Sequence, residues 1–311
     1  MKKPVKLLPA FKDYLWGGDR LKKEFNKKTD MDIVAESWEL STHKDGQSIV
    51  ATGEYKGMLF GDYIKNNPYD VIGKKAREFE FFPILIKFID AKDNLSIQVH
   101  PDDEYSLRVN GEYGKTEMWY ILDCEENSYL YYGFNKKISK EEFKERIENN
   151  TLLEVLNKVN VKKGDVFFIE AGTVHAICKG IVICEIQQNS NTTYRVYDYN
   201  RKSADGKPRE LHIEKALEVS KTEPGREFKK GNDNVLASCK YFTVEKYDIS
   251  DELEIDITLD SFKSIIITEG SGSIICEGEK IDFIRGDSIF VPSQDSKAKI
   301  KGKCEIIVSY V

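Results

Sequence analysis

Short runs rich in β-branched and aromatic residues recur along this chain, each closed by a Gly, Asp or Asn turn, and this spacing constrains the fold more than any other feature. The runs are Glu117–Leu122, Val166–Ile169, Val174–Ile177, Ile181–Ile186, Ser264–Thr268, Gly272–Cys276, Ser288–Val291 and Cys304–Val308. Many short strands at such intervals predict a mainly β protein, a sandwich or barrel. The most apolar stretch, Phe81 to Ile89, contains Lys87 and is far too short to span a bilayer, so it reads as a buried strand.

Helices are the exception. Ser139 and Glu142 fit a capping box, and Phe143, Ile147, Leu152, Val155 and Leu156 give an approximate helical stripe, so a helical insertion, two short helices, is expected at about 138–160. A second helix is expected at Ile213–Val219, and the polar, turn-rich stretch from Lys221 to Asn234 reads as a linker. An internal repeat organises the rest. Lys163-GDVFFIEAGTVHAI is similar to Arg285-GDSIFVPSQDSKAKI, each with a Gly-Asp turn leading into an apolar strand. Eleven residues beyond the glycine stand His175 in the first copy and Lys297 in the second, so only the first copy offers a metal ligand. The expected division is 1–232 for a metal-binding domain and 233–311 for a degenerate C-terminal β domain.

The charge pattern narrows the partners. A net charge of −6 and scattered basic pairs (Lys2-Lys3, Lys22-Lys23, Lys229-Lys230) lack the basic stripe of a nucleic-acid-binding protein. The N-terminus is interrupted by Pro9, Lys12 and Asp13 before any apolar core develops, which does not fit a secretory signal. No membrane association and a cytoplasmic location are the expectations. Six cysteines without CxxC spacing read as reduced core residues, although Cys178 and Cys184 flank a turn at Lys179-Gly180.

The chain has four histidines. In an extended Ile97–His100, Gln98 and His100 fall on one face, and Pro101 ends that strand. The same alternation aligns Lys115, Glu117, Trp119 and Ile121, and Thr173, His175 and Ile177. Polar groups on the apolar side of three strands need partners, because burying them unpaired costs several kcal/mol. One imidazole alone reads as a hydrogen-bonded core histidine. Two with Glu117 and the amide of Gln98 form an N/O donor set suited to a divalent ion such as zinc, with a position left for water or substrate. His43 and His212, in polar surroundings, are expected at the surface.

Four ordered motifs then carry a resemblance: Ile86-KFIDAKDNLSIQVHPDDEYS, Gly114-KTEMWYIL, Ile169-EAGTVHAI and Glu185-IQQNSNTTYRVYDYNR, with Trp16-Gly-Gly and Glu36-SWELS before them. Together they resemble the type I mannose-6-phosphate isomerases in their short bacterial form. The resemblance implies cupin barrels (double-stranded β-helices), one Zn2+ per chain, and interconversion of mannose 6-phosphate and fructose 6-phosphate through a cis-enediol. Motif by motif it implies Gln98, His100, Glu117 and His175 as metal ligands and Arg195 as the active-site arginine. Lys115 matches a lysine of the same pocket. Ser96 and Glu185 are candidates for substrate contact, and Glu185 or a metal-bound water competes with Lys115 for the role of base. The partner expected is a small sugar phosphate, and since small cupins often pair, a homodimer. Glu170 departs from the proline that many cupins carry before Ala-Gly-Thr.

Two other readings stay open from the residues. Two histidines and a carboxylate also form the facial triad of Fe(II) dioxygenases, and other cupins are epimerases. A sugar-binding cupin without catalysis is the third possibility, against which the Lys115/Arg195 pair argues.

Overall fold

The computed structural model describes residues 2–202, 206–225 and 234–311, and in it both Gly-Asp dipeptides build the same turn. Gly164 and Gly286 sit at φ of +89° and +92°, where glycine carries no steric penalty. The Gly164 N–H donates to the Ile121 carbonyl at 2.8 Å, and that of Gly286 to the Ile267 carbonyl at 2.8 Å. Asp165 Oδ2 accepts the Lys162 N–H at 2.9 Å, as Asp287 Oδ2 accepts that of Ile284 at 2.8 Å. The strand after each turn runs antiparallel to its partner in equivalent register: Val166 faces Tyr120 and Ile169 faces Glu117, while Ser288 faces Ile266 and Val291 faces Lys263. The repeat is thus a repeat of structure as well as of sequence.

The two turns differ in their surroundings. A Cβ on Gly164 would meet nothing within 4 Å, whereas one on Gly286 would overlap the carbonyl of Phe25. Gly164→Ala is therefore expected to cost about 1 kcal/mol, the left-handed penalty alone, and Gly286→Ala about 3 kcal/mol because the backbone must also move. Thermal midpoints of the two variants check this; equal losses would contradict it.

Two compact units emerge, divided differently from the expected 1–232 and 233–311. One comprises Met1–Lys12, Asp19–Phe88 and Lys230–Val311; the other comprises Asp13–Gly18 and Ile89–Lys229. The reason is long-range pairing: Val5–Leu8 runs antiparallel to Ser288–Val291, and Ile49–Val50 adds to its other edge. The sheet of this first unit takes the order Val235–Ser238, Thr243–Ile249, Ser296–Tyr310, Lys263–Cys276, Ser288–Val291, Val5–Leu8, Ile49–Val50. Two of the expected runs, Ser264–Thr268 and Gly272–Cys276, belong to one strand, Lys263–Cys276, with its register shift between Ile267 and Glu269. Alternate residues such as Ile255, Ile265, Ile267, Ile300 and Ile306 form its core. Burying each side chain of this kind contributes about 1.5–3 kcal/mol. On the outward face Glu254 lies across from Lys299 and 3.4 Å from Lys297.

In the second unit Val166–Ile169, Glu117–Cys124 and Ile181–Gln188 lie side by side, and a separate five-stranded sheet runs Tyr194–Tyr197, Ile97–Val99, His175–Ile177, Tyr129–Phe134, Leu156–Asn160. Ile97, Val99, Phe134, Phe143, Ile147, Val174 and Val196 fill its core together with the helices Lys140–Glu148 and Ile213–Val219. Ser139 caps the first of these by accepting the Glu142 N–H at 3.0 Å. The insertion is less helical than expected. Asn150 adopts φ of +57° and ends the helix, Leu152–Val155 is a single 3-10 stretch, and Leu156–Asn160 is a strand paired with Tyr129–Phe134. The apolar residues after Asn150 therefore serve a sheet. Residues 226–233 of the expected linker, with Lys229-Lys230 and the expected boundary near 232, lie outside the described residues. All six cysteines are free thiols. Among the described residues no helix is long and apolar enough to cross a membrane.

Candidate metal centre

Strand register brings the site together. In the five-stranded sheet Arg195 pairs with Gln98, Gln98 with His175 and His175 with Tyr132. Directly opposed residues share a face, so these four side chains form one row. In the other sheet Glu117 lies between Ile169 and Gln187, and Trp119 between Phe167 and Glu185. His100, just past the end of its strand, completes the set from the same side as Gln98.

Between the sheets His100, Glu117 and His175 converge, with one donor atom from each lying within 4.8 Å of the others. Glu117 Oε1 is 3.2 Å from His175 Nε2 and 3.7 Å from His100 Nε2. All three residues are essentially inaccessible to solvent. His100 Nδ1 lies 2.9 Å from the Thr192 carbonyl and His175 Nδ1 2.8 Å from that of Thr173. A carbonyl only accepts, so each Nδ1 carries the proton; His175 turns its bare Nε2 toward Glu117, while the Nε2 of His100 meets Lys115 Nζ at 3.1 Å. Glu117 Oε1 and His175 Nε2 have no hydrogen-bond partner among the described groups. Burial pushes the Glu117 carboxyl up to about 8, Lys115 opposing and Glu185 reinforcing. It also pushes the His175 imidazole down to about 4. Two orphaned acceptors, Glu117 Oε1 and His175 Nε2, beside the His100 Nε2 in a buried space fit a divalent cation, and carbonyls that hold the far ring nitrogen are what metal-bound imidazoles use. Mere packing of His175 against His100 and Glu117 would leave the His175 Nε2 lone pair unsatisfied.

Lys115 is buried beside the same atoms. Its Nζ donates to Glu117 Oε2 at 2.6 Å and lies 3.1 Å from His100 Nε2 and 3.9 Å from Glu185 Oε1. Its loop is tied down on both sides: the Lys115 N–H donates to the Pro101 carbonyl at 2.9 Å, the Thr116 N–H to Gln188 Oε1 at 2.9 Å, and the Gly114 N–H to Asp103 Oδ1 at 2.9 Å. Asp102 caps the helix Asp103–Asn110 by accepting the Tyr105 N–H at 2.9 Å. Asp103 thus fastens the loop that carries Lys115, and Asp102 starts the helix that holds Asp103. Glu185 Oε1 accepts the Trp119 Nε1–H at 2.9 Å, and the Trp119 ring meets His175 edge-on at 5.3 Å. Arg195 Nε donates to Ser96 Oγ at 3.2 Å and Nη1 to the Glu210 carbonyl at 2.9 Å. The anticipated residues of this unit (Ser96, Gln98, His100, Lys115, Glu117, His175, Glu185 and Arg195) therefore belong to one pair of facing sheets.

Two expectations need correction. His43 is buried at 6% exposure and stacks edge-on with Trp38 at 5.8 Å, its Nδ1 accepting the Asp45 N–H at 3.1 Å. His212 is half-buried, and its Nδ1 accepts the Arg195 N–H at 3.2 Å. Polar neighbours in sequence misled in both cases, because each ring turns back onto its own unit. The repeat also diverges in detail. His175 faces the space between the sheets, whereas Lys297 is exposed and paired with Glu254. By strand pairing, the counterpart of Glu117 is Lys263, whose ammonium lies on the Tyr310 ring 3.0 Å from its centroid. The second copy has a cation where the first has its carboxylate.

Sequence reasoning also passed over Thr173 and Thr192, whose carbonyls set the tautomers, and Asp198. The latter is buried and takes Arg209 through two hydrogen bonds at 2.7 and 2.6 Å. The backbone roles leave no side-chain signal. The ion pair had one, since Asp198, Arg201 and Arg209 are charges close together in sequence after a strand.

Comparison with known proteins gives concordant results. Residues 5–131 match the family described as phosphomannose isomerase type I, catalytic domain, and residues 232–311 the mannose-6-phosphate isomerase cupin domain. The mannose-6-phosphate isomerase ManA of Bacillus subtilis is 38% identical over 317 residues, covering 99% of each chain. The mannose-6-phosphate isomerase of Streptococcus mutans is 36% identical, covering 100% of this chain and 99% of its own. The crystal structure of the mannose 6-phosphate isomerase from Bacillus subtilis superposes with a TM-score of 0.90 at 36% identity, over 99% of this chain and 100% of that one.

Proposed function

The chain belongs to the type I phosphomannose isomerases, and from that premise we propose that it interconverts mannose 6-phosphate and fructose 6-phosphate, using a zinc ion held by His100, Glu117 and His175. The observation that carries the metal is the pair of tautomer-fixed imidazoles whose Nε2 atoms, with Glu117 Oε1, converge in a buried space. Gln98, beside His175 in the same row, is the fourth donor in this reading. A divalent ion bound there supplies Lewis-acid polarisation of the sugar oxygens without redox chemistry.

The residues of the chain do the rest. Isomerisation moves the C2 proton to C1 and the O2 hydroxyl proton to O1, through a cis-enediol. Lys115, whose Nζ reaches Glu117, His100 and Glu185, is the group that takes and returns the carbon-bound proton, with Glu185 Oε1 3.9 Å from it. Arg195 presents a planar fork to the negative charge that develops on the enediol oxygens. Ser96, hydrogen-bonded to Arg195, and Glu185 line the substrate position. The burial of the metal ligands keeps bulk water from competing for the ion.

The direct test is a coupled assay for fructose 6-phosphate formed from mannose 6-phosphate. Arg195→Ala is expected to lower turnover about a hundredfold to a thousandfold with metal content and thermal midpoint unchanged. Unchanged kinetics would remove the arginine from the reaction.

A further inference from the structure

Tyr194–Tyr197 is the edge strand of the five-stranded sheet, and Arg195 sits where its register shifts, between Arg195 and Tyr197. An edge strand turns the N–H and C=O of alternate residues away from its partner, and those groups need other acceptors and donors. For Arg195 both go to one residue. Its N–H donates to His212 Nδ1 at 3.2 Å, and its carbonyl accepts the His212 N–H at 2.8 Å. The preceding residues add two more attachments: the Glu210 carbonyl accepts Arg195 Nη1 at 2.9 Å, and Arg209 clasps Asp198. The segment from Arg209 to His212 thus holds the backbone of Arg195, its guanidinium and the chain just beyond it.

We propose that His212 is a positioning residue for Arg195: its neutral Nδ1 accepts the Arg195 amide at the sheet edge and so keeps the guanidinium in the row that contains Gln98 and His175. The inference rests on the proposed role of Arg195 in sugar-phosphate isomerisation. Only the neutral ring accepts. A protonated ring would set an N–H against the Arg195 N–H, and the clamp would open. The charged and titratable groups facing His212 are Arg195 and Tyr194 on the strand, Glu210 before it and Lys215 after it. On the neighbouring helix Lys140–Glu148, Lys144 is taken up by Glu214 at 2.8 Å. Burial, with Arg195 and Lys215, holds the imidazole below its usual range against the opposing pull of Glu210. The clamp is therefore closed at neutral pH and lost as pH falls below that range.

The experiment compares the metal-loaded wild type with His212→Leu, which removes the acceptor, and His212→Asn, whose Oδ1 replaces it without titrating. Turnover, KM and metal content are measured from pH 5 to 8, together with protection of the Arg195 Nε–H from solvent exchange by NMR. Expected are a fall in kcat of about tenfold to a hundredfold for His212→Leu, KM within about twofold, unchanged metal content, and a deprotected Nε–H. His212→Asn is expected to recover most of the turnover and to keep it further into acid than the wild type. Wild-type kcat and a protected Nε–H in His212→Leu overturn the proposal. So does a His212→Asn variant as impaired as His212→Leu, or one with the wild-type acid limb. If the wild type itself fails to isomerise mannose 6-phosphate, the functional reading falls, and the Arg195 exchange data still decide for or against the clamp. Should His212→Leu fail to fold, His212→Asn and its pH profile decide alone.

Discussion

Replacing His175 by alanine is expected to abolish stoichiometric metal binding and to lower turnover on mannose 6-phosphate by at least about a thousandfold, the loss of several kcal/mol of charge stabilisation in the transition state. The ring stands at the centre of the row that links Arg195, Gln98 and Tyr132, and its Nε2 is the imidazole donor nearer to Glu117 Oε1. Without it the cluster keeps one imidazole and one carboxylate, and the carboxylate stays buried beside Lys115. Metal analysis after purification and the coupled assay check the two halves separately. His43→Ala is the matched control. That residue is also a buried histidine, but it lies in the other unit, against Trp38, so the variant is expected to lose stability while retaining its metal. A His175→Ala enzyme with full metal content and near-normal turnover would mean the imidazole is only a core residue.

Lys115→Met is expected to lower turnover by about a hundredfold to ten-thousandfold, the range of general acid–base catalysis, while zinc stays stoichiometric. Methionine keeps most of the length and packing of lysine and removes only the amino group. Glu117 then loses its 2.6 Å partner, but the bound cation compensates its charge, so the fold and the site persist. The effect should fall on kcat more than on KM, because a proton-transfer group acts in the transition state. Retained turnover would exclude Lys115 as the base and leave Glu185, 3.9 Å away, for which Glu185→Gln is the corresponding test.

Much of this site was legible in the sequence because strand alternation is a strict rule. Gln98 and His100, two apart before a proline, had to share a face, and the Gly-Asp repeat marked His175, eleven residues after Gly164, as the ligand position of the first copy. The motifs after His100 and before Glu117 were legible only by resemblance. Their physical role, Asp103 pinning Gly114 and Gln188, needs a contact across 85 residues. The same limit explains the domain division. Nothing local in Val5–Leu8 announces that it pairs with Ser288–Val291, so its place in the compact unit that also holds the C-terminal strands was not readable from sequence. At Leu156–Asn160 tertiary context overrides a helical stripe. Asn150 at φ of +57° breaks the helix, and the edge of Tyr129–Phe134 recruits the residues beyond it into the sheet. His212 was unreadable for another reason: its partner is the backbone of Arg195, and backbone partners leave no trace in composition.

In the proposed mechanism the three converging side chains work by holding a divalent ion. The most direct measurement is isomerase activity on mannose 6-phosphate before chelation, after exhaustive chelation, and after stoichiometric zinc is returned. Loss to background followed by recovery at one zinc per chain is the predicted result. Full activity in protein shown to be free of metal would contradict it.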